Sequence, residues 1–364
     1  MPRNPKVAVA TACSVAILAT FALAATARPA RAAGMDPAPE RLANCAAATC
    51  VPNNVAWANM MSELGMAIAP TAFHSARTTG LGGFALSLET SFTHINVDAS
   101  AGGVQYWHKG TEGPLDPNTH AFSIENTNPD SILGVYSLKA RKGLAYGFEI
   151  AGDLGYLANT SLWVGGADVR WAILEGYRTG ALGYFPDVSI GAGVRTLGGS
   201  PKFLLTTVGL DAQVSKPFAI ADSAVLTPYI GIQRVIIFAD SSVVDLTPTV
   251  DPLNQCGYLG PNVPRPAGTP QLPPGSLQPG QLPNDGTPVC KNAAGNGDFN
   301  NDTTFNKARI HRWRGMLGLN YRFEVLYLAA QFAMDVTDPS AENGVIGVNG
   351  SKQWTTSLEA GVSF

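Results

Sequence analysis

Thirteen charged residues stand out by their spacing. Glu89, Glu149, Asp168, Asp187, Asp211, Asp335 and Glu359 are acids, and Lys139, Arg170, Arg195, Arg312, Arg314 and Arg322 are bases. Each falls on the polar parity of a stretch whose alternate positions are largely apolar. Successive side chains of an extended chain point to opposite faces, so the pattern gathers the charges on one face of a set of strands. Seven acids against six bases is near balance. Charges enclosed in a narrow space of low dielectric must be paired, so the chemistry expected of them is a bracing network of ion pairs.

Other reactive residues give weaker patterns. The histidines His74, His94, His108, His120 and His311 stand in no recognisable Ser/His/acid arrangement, and no enzymatic activity and no cofactor are expected. Asp298, Asn300 and Asp302 present oxygens at alternating positions, like the start of a calcium loop. Thr303 stands where that pattern wants glycine and Arg309 where it wants a bidentate glutamate, so a solvated polar loop is expected and no metal.

The elements that position the charges are strands. Phe84, Leu86, Leu88 and Phe92 alternate with Ser87, Glu89 and Ser91; Trp163, Ala167, Val169 and Trp171 alternate with Gly166, Asp168 and Arg170. Trp313, Leu317, Leu319 and Tyr321 alternate with Arg312, Arg314, Asn320 and Arg322. Similar bands recur from Gly80 to the C-terminus, and they predict about ten strands, with eight or twelve as alternatives. In the band Leu226–Phe238, Arg234 breaks the parity, which suggests a bulge or a position above the lipid. Gly102–Trp107 reads as an extra strand or as an extension outside the membrane. The turns expected at residues 141–143, 174–183, 216–223 and 323–324 are short, whereas the connections at 96–130, 240–308 and 337–352 are long. Sorting of loop lengths by side is the pattern of a membrane barrel.

The last strand is the most regular. Trp354, Thr356, Leu358, Ala360, Val362 and Phe364 share one face, opposite Thr355, Ser357, Glu359, Gly361 and Ser363. With its terminal aromatic it resembles the closing strand of the outer-membrane β-barrel proteins of Gram-negative bacteria. The resemblance implies an antiparallel transmembrane β-barrel in the bacterial outer membrane, with Phe364 as the signal read by the barrel-assembly machinery. The implied partners include outer-membrane lipid and lipopolysaccharide. His311-Arg312-Trp313-Arg314, at a strand entrance, suits lipopolysaccharide phosphates because arginine binds phosphate in bidentate fashion.

Composition agrees. Charged residues make up 14% of the chain, against roughly 25% in soluble domains. Arg3 and Lys6 precede the apolar run Val7–Ala25, and Ala30-Arg31-Ala32 fits a cleavage site, so residues 1–32 read as a secretory signal peptide. Removing them shifts the formal charge from −3 to −7, which does not suit a nucleic-acid partner. Residues 33–79 read as a periplasmic N-terminal segment or a small hatch in the barrel mouth, with one short helix over 54–69 that Asn53 or Asn54 caps and Pro70 stops. The barrel then spans 80–364, with long outer loops at 96–130 and 240–308.

Export leaves Cys45, Cys50, Cys256 and Cys290, an even number that favours disulfides in an oxidising compartment. Pairing Cys45 with Cys50 and Cys256 with Cys290 is the simplest of three connectivities. Residues 240–308 hold eleven prolines, a composition of extended solvated chain. Ten strands enclose too little space for a wide pore, so a closed or narrow barrel with a structural or surface-interaction role through its loops is expected. Its extracellular ligand is unknown. The rivals are a channel for small or hydrophobic solutes with an N-terminal hatch, although residues 53–70 lack the Asn-Pro-Ala signature of the hydrophobic-solute barrels, and a lipid-modifying or proteolytic barrel enzyme.

Overall fold

A computed structural model describes residues 34–46, 49–113, 126–176, 184–221, 224–246, 302–342 and 351–364. Among them ten antiparallel strands form the wall: β1 (Phe84–His94), β2 (Ile132–Gly143), β3 (Phe148–Leu157), β4 (Trp163–Leu174), β5 (Asp187–Gly198), β6 (Phe203–Ser215), β7 (Ala224–Ser241), β8 (Ala308–Phe323), β9 (Leu326–Asp335) and β10 (Trp354–Ser363). Each pairs with its sequence neighbours. β10 then pairs with β1, Glu359 opposite Glu89, and closes the sheet into a barrel. Closure leaves no strand edge unpaired, as a sheet surrounded by lipid requires.

Period-two alternation sets which side faces in. Along β9, Leu326, Leu328, Ala330, Phe332 and Met334 are exposed, while Tyr327, Ala329, Gln331, Ala333 and Asp335 are buried. The strands join through the connections after β2, β4, β6 and β8 at one end, here the turn end, and through those after β1, β3, β5, β7 and β9 at the other, the loop end. Arg141, Lys142 and Gly143 belong to β2 rather than to a turn, which moves the first turn to residues 144–147, where Tyr146 has a φ of 61°. Arg234 lies in an unbroken register, opposite Leu210 and Trp313, so no bulge marks it. The stretch 102–107 adds no wall strand: Ser100–Ala101 and Val104–Gln105 pair only with each other, and a helical turn follows at Tyr106–Lys109.

The interior is packed by the N-terminal part of the chain. Helix α1 (Asn54–Ala67) lies within the loop-end half of the barrel, with Met60, Met61 and Leu64 in one apolar cluster with Leu205, Val235, Ile237 and Ile310 of the wall. A hairpin of Ala43–Ala46 and Thr49–Pro52 precedes it.

Candidate functional site

The filled lumen is the candidate site, and α1 forms its upper part. Asn53 caps the helix by accepting from the Ala56 amide at 3.0 Å, and Pro70 follows its end. Every residue from Ala56 to Ala67 is buried, as befits a helix that is apolar on most of its circumference. Trp57 stacks on Phe305 at 5.0 Å and meets Phe203 edge-on at 5.9 Å. Gly65 lets the helix approach the wall, since a Cβ there would lie 2.5 Å from Ile237.

Glu63 is the polar hub of the helix. Its carboxylate, fully buried, accepts from the Tyr106 hydroxyl at 2.7 Å, the Trp107 indole at 2.8 Å, the Asn96 amide at 3.0 Å and the Ser351 hydroxyl at 3.3 Å. Arg312 donates to the Ser62 hydroxyl at 3.1 Å and pairs with Asp335, which also accepts from the Gln353 amide at 2.8 Å. One helix face is thereby tied to two loop-end connections and to β8 and β9.

Below α1 an extended segment, residues 68–79, fills the rest of the lumen. An extended chain has no internal partners for its carbonyls, and here wall side chains supply them. Pro70 O accepts from Arg314 and from Gln233 at 3.0 Å, and Thr71 O from Gln331 at 2.7 Å. Ala72 O accepts from Arg170 at 3.2 Å and from Gln213 at 2.5 Å, while Ser75 O accepts from Arg170 at 2.8 Å. Nearer the turn end Arg77 pairs with Asp187 at 2.7 Å, Thr78 donates to Glu175 and the Thr79 amide donates to Glu149 at 2.8 Å. Ala72 and His74 hold φ values of 50° and 87°, a left-handed conformation that costs energy outside glycine and persists where the surroundings over-determine it. Gly193 leaves room for this path: a Cβ there would meet Asp168 and the Pro70 ring.

The remaining charges pair across the wall. Lys139 lies 3.3 Å from Glu89 and 3.6 Å from Asp168, and Arg195 lies 2.6 Å from Asp153 and 2.8 Å from Asp168. Glu359 accepts from Ser87 at 2.5 Å and from Tyr327 at 2.8 Å, and Arg141 packs over the Tyr327 ring at 5.0 Å. The His74 Nδ1 faces Arg170 at 2.6 Å and its Nε2 faces Glu149 at 3.6 Å, which suits a proton on Nε2. Asp211 is half-buried beside Gln213.

The structure thus brings twelve of the thirteen charges to the interior. Arg322 lies at the turn-end mouth: it is exposed, lines the cavity there and donates to Glu324 O at 3.0 Å, because β8 runs past the packed region. Arg170 and Arg314 depart in partner, donating chiefly to segment carbonyls and to glutamine rather than to acids. Arg141, Asp153 and Glu63 belong to the site without having been singled out. The parity of Lys139 and Glu149 would have found the first two; nothing marked Glu63. Near the turn end the segment leaves a cavity of ≈ 310 Å³, lined by His74, Arg77, Arg141, Glu175 and Tyr327 among others. Cys256, Cys290, Asp298 and Asn300 lie outside the described residues, as do residues 1–33. Cys45 and Cys50 stand opposite each other in the hairpin register. Among the described residues no group of three His, Cys, Asp or Glu is placed to hold a metal.

The outside reverses the polarity of the inside. Ile230 and Leu317 are each 62% exposed, Leu328 57%, Leu154 54% and Leu358 51%, in a continuous band around the wall. Tyr156, Trp163, Trp313 and Trp354 lie toward the loop-end rim, and Trp171, Tyr184 and Tyr321 toward the turn end, like the aromatic girdles of a bilayer-spanning barrel. So large an apolar surface is untenable in water and is matched by lipid. The chain is a membrane-spanning β-barrel. No helix among the described residues is long and apolar enough to cross a membrane; the crossing elements are the strands.

No protein-family model and no curated protein matches the chain. Solved structures that it is similar to include Ail of Yersinia pestis in complex with the heparin analogue sucrose octasulfate, at 10% identity over 78% of this chain and 99% of that one, with a TM-score of 0.24. Neisserial surface protein A matches at 10% identity over 78% and 97%, with a TM-score of 0.25. OprG from Pseudomonas aeruginosa matches at 12% identity over 80% and 99%, with a TM-score of 0.24. At such identities and scores the likeness adds nothing to what the barrel's own geometry shows.

Proposed function

We propose that this protein is a closed outer-membrane barrel with a structural or surface-interaction role, carried out at its loop end, which faces the cell exterior. The observation that carries the reading is the occupied lumen. From α1 through Thr79 the interior is filled by chain whose carbonyls are bonded by buried Arg170, Gln213, Gln233, Arg314 and Gln331. A freely conducting pathway needs water along its length. Here the strand walls and the segment bond each other instead, and the turn-end cavity lies on one side of that obstruction. We read the chain as non-enzymatic.

Lipopolysaccharide and outer-membrane lipid are the proposed surroundings. In the sequence run at the start of β8, Arg312 and Arg314 turn inward, so phosphate contact falls to the outward side chains near Trp313. These are Arg234, stacked over the Trp313 ring at 5.8 Å, and Arg309 over Phe238 at 5.1 Å. The barrel-assembly machinery is the proposed reader of β10 and Phe364, and a Cys45–Cys50 disulfide is the proposed lock of the N-terminal hairpin. Recording from the purified barrel in a planar bilayer tests the closed reading: little steady current supports it, and a large stable conductance would move transport to first place.

A further inference from the structure

The path of the N-terminal chain runs the whole length of the barrel, and it can be followed residue by residue. Phe84 begins β1 at the turn end, where its backbone and that of Phe364 exchange hydrogen bonds of 3.1 and 2.8 Å. Going back along the chain, Thr79 meets Glu149 near the turn end of β3, and Arg77 meets Asp187 at the first residue of β5. Pro70 meets Gln233 and Arg314 in mid-barrel. Glu63 meets Asn96, already past the loop end of β1, and Trp57 meets Phe203 at the loop end of β6. Beyond that, among the described residues, the hydrogen bonds and ion pairs this segment makes outside itself are with loop-end connections. The Met35 amide donates to Asn159 O at 3.2 Å, Asp36 accepts from the Ser161 amide at 2.6 Å, and Glu40 pairs with Lys202 at 2.7 Å.

We propose that the barrel carries its own N-terminal chain across the membrane, so that Gly34 and the paired strands Ala43–Ala46 and Thr49–Pro52 stand on the outer face of the cell. This replaces a periplasmic placement of residues 33–79 and makes the hairpin part of the surface that a partner meets. It rests on the orientation given under Proposed function, in which the loop end faces outward. The path also constrains assembly. A helix is about 10–12 Å across with its side chains, and the lumen around Pro70–Ala72 is occupied by Arg170, Gln233, Arg314 and Gln331. Folded α1 cannot slide through that section. The chain therefore lies in the lumen before α1 packs, and β10 closes on β1 around it.

The test places one epitope tag at a time in the full-length chain: immediately before Gly34, after Asp338 at the loop end, and after Tyr146 at the turn end. Antibody is applied to intact and then to permeabilised cells. The proposal expects the tags before Gly34 and after Asp338 to be labelled on intact cells, and the tag after Tyr146 only after permeabilisation. A labelled Asp338 tag with a hidden Gly34 tag, in protein recovered from the outer membrane, overturns the proposal and leaves the orientation standing. A labelled Tyr146 tag with a hidden Asp338 tag overturns the orientation, and the proposal with it. Should a tag before Gly34 block export, Val51→Lys takes its place, because Val51 is 53% exposed on the hairpin. Modification at position 51 by a membrane-impermeant amine reagent on intact cells, read by mass spectrometry, supports the proposal; its absence beside modified loop-end lysines overturns it.

Discussion

Arg314 of the wall donates to the backbone oxygen of Pro70 in the lumen segment, and it does so while wholly buried, with its Nε held 2.6 Å from Gln233 Oε1. A guanidinium that could have sat in an ion pair instead satisfies the extended backbone of the lumen segment. The barrel and its filling are therefore one hydrogen-bonded unit.

Arg314→Ala should loosen that unit. It leaves Pro70 O and Gln233 short of a donor, and an unsatisfied buried polar group typically costs about 1–3 kcal/mol. The variant should unfold at lower temperature in detergent and show transient current in a bilayer. Arg322→Ala serves as the contrast, since Arg322 is exposed, and its melting should match the wild type. Equal effects of the two substitutions would contradict the assignment of Arg314 to the packed lumen.

Glu63 should anchor α1 to the loop end. Its carboxylate accepts from Tyr106, Trp107, Asn96 and Ser351. Glu63→Leu leaves those buried donors unpaired, and an unsatisfied buried polar group typically costs about 1–3 kcal/mol. Glu63→Gln retains an oxygen to accept from Tyr106 and Trp107 and should cost less. Thermal unfolding in detergent should rank wild type above Glu63→Gln and Glu63→Leu lowest; equal melting of the two variants would contradict the expectation.

Phe364 should matter at the seam. Its backbone exchanges two hydrogen bonds with Phe84, next to the β10–β1 pairing that closes the barrel, and its ring is 56% exposed toward the lipid side. Deleting it should lower the amount of protein in the outer membrane. Normal amounts with normal heat-modifiable gel migration would count against its role in assembly.

Two disulfides are expected in the mature protein. Cys45 and Cys50 oppose each other in the hairpin, and Cys256 with Cys290 would restrain a loop of 35 residues, worth about 4 kcal/mol by loop entropy. A non-reduced digest should yield those two linked peptide pairs by mass spectrometry. Free thiols or crossed pairs would overturn the connectivity.

The wall was legible because lipid outside and polar filling inside impose a strict period of two, as in β9 and β10. The filling was legible only in part. Residues 54–69 gave a helix with two placements, and an all-round apolar helix does not say what surrounds it. Gln213, Gln233 and Gln331 carry no charge to advertise a partner, and their partners are backbone carbonyls that no side-chain pattern reveals. Lys142-Gly143 read as a turn because glycine usually marks one, and this hid Arg141. Arg234 read as a bulge or as a position above the lipid; the register there is unbroken, and its guanidinium stacks over Trp313 toward the loop-end rim.

Chain and wall together close the lumen, and current through single molecules reports on that closure. Purified wild-type protein, inserted in a planar bilayer at neutral pH and moderate salt, should show insertion without steady conductance. The path from Trp57 to Thr79 packs against the wall or is hydrogen-bonded to it along its length, so the baseline should stay quiet under modest voltage. A large, stable and reproducible conductance from the wild type would contradict the account, and it would show that ions pass beside the segment that the structure places across their way.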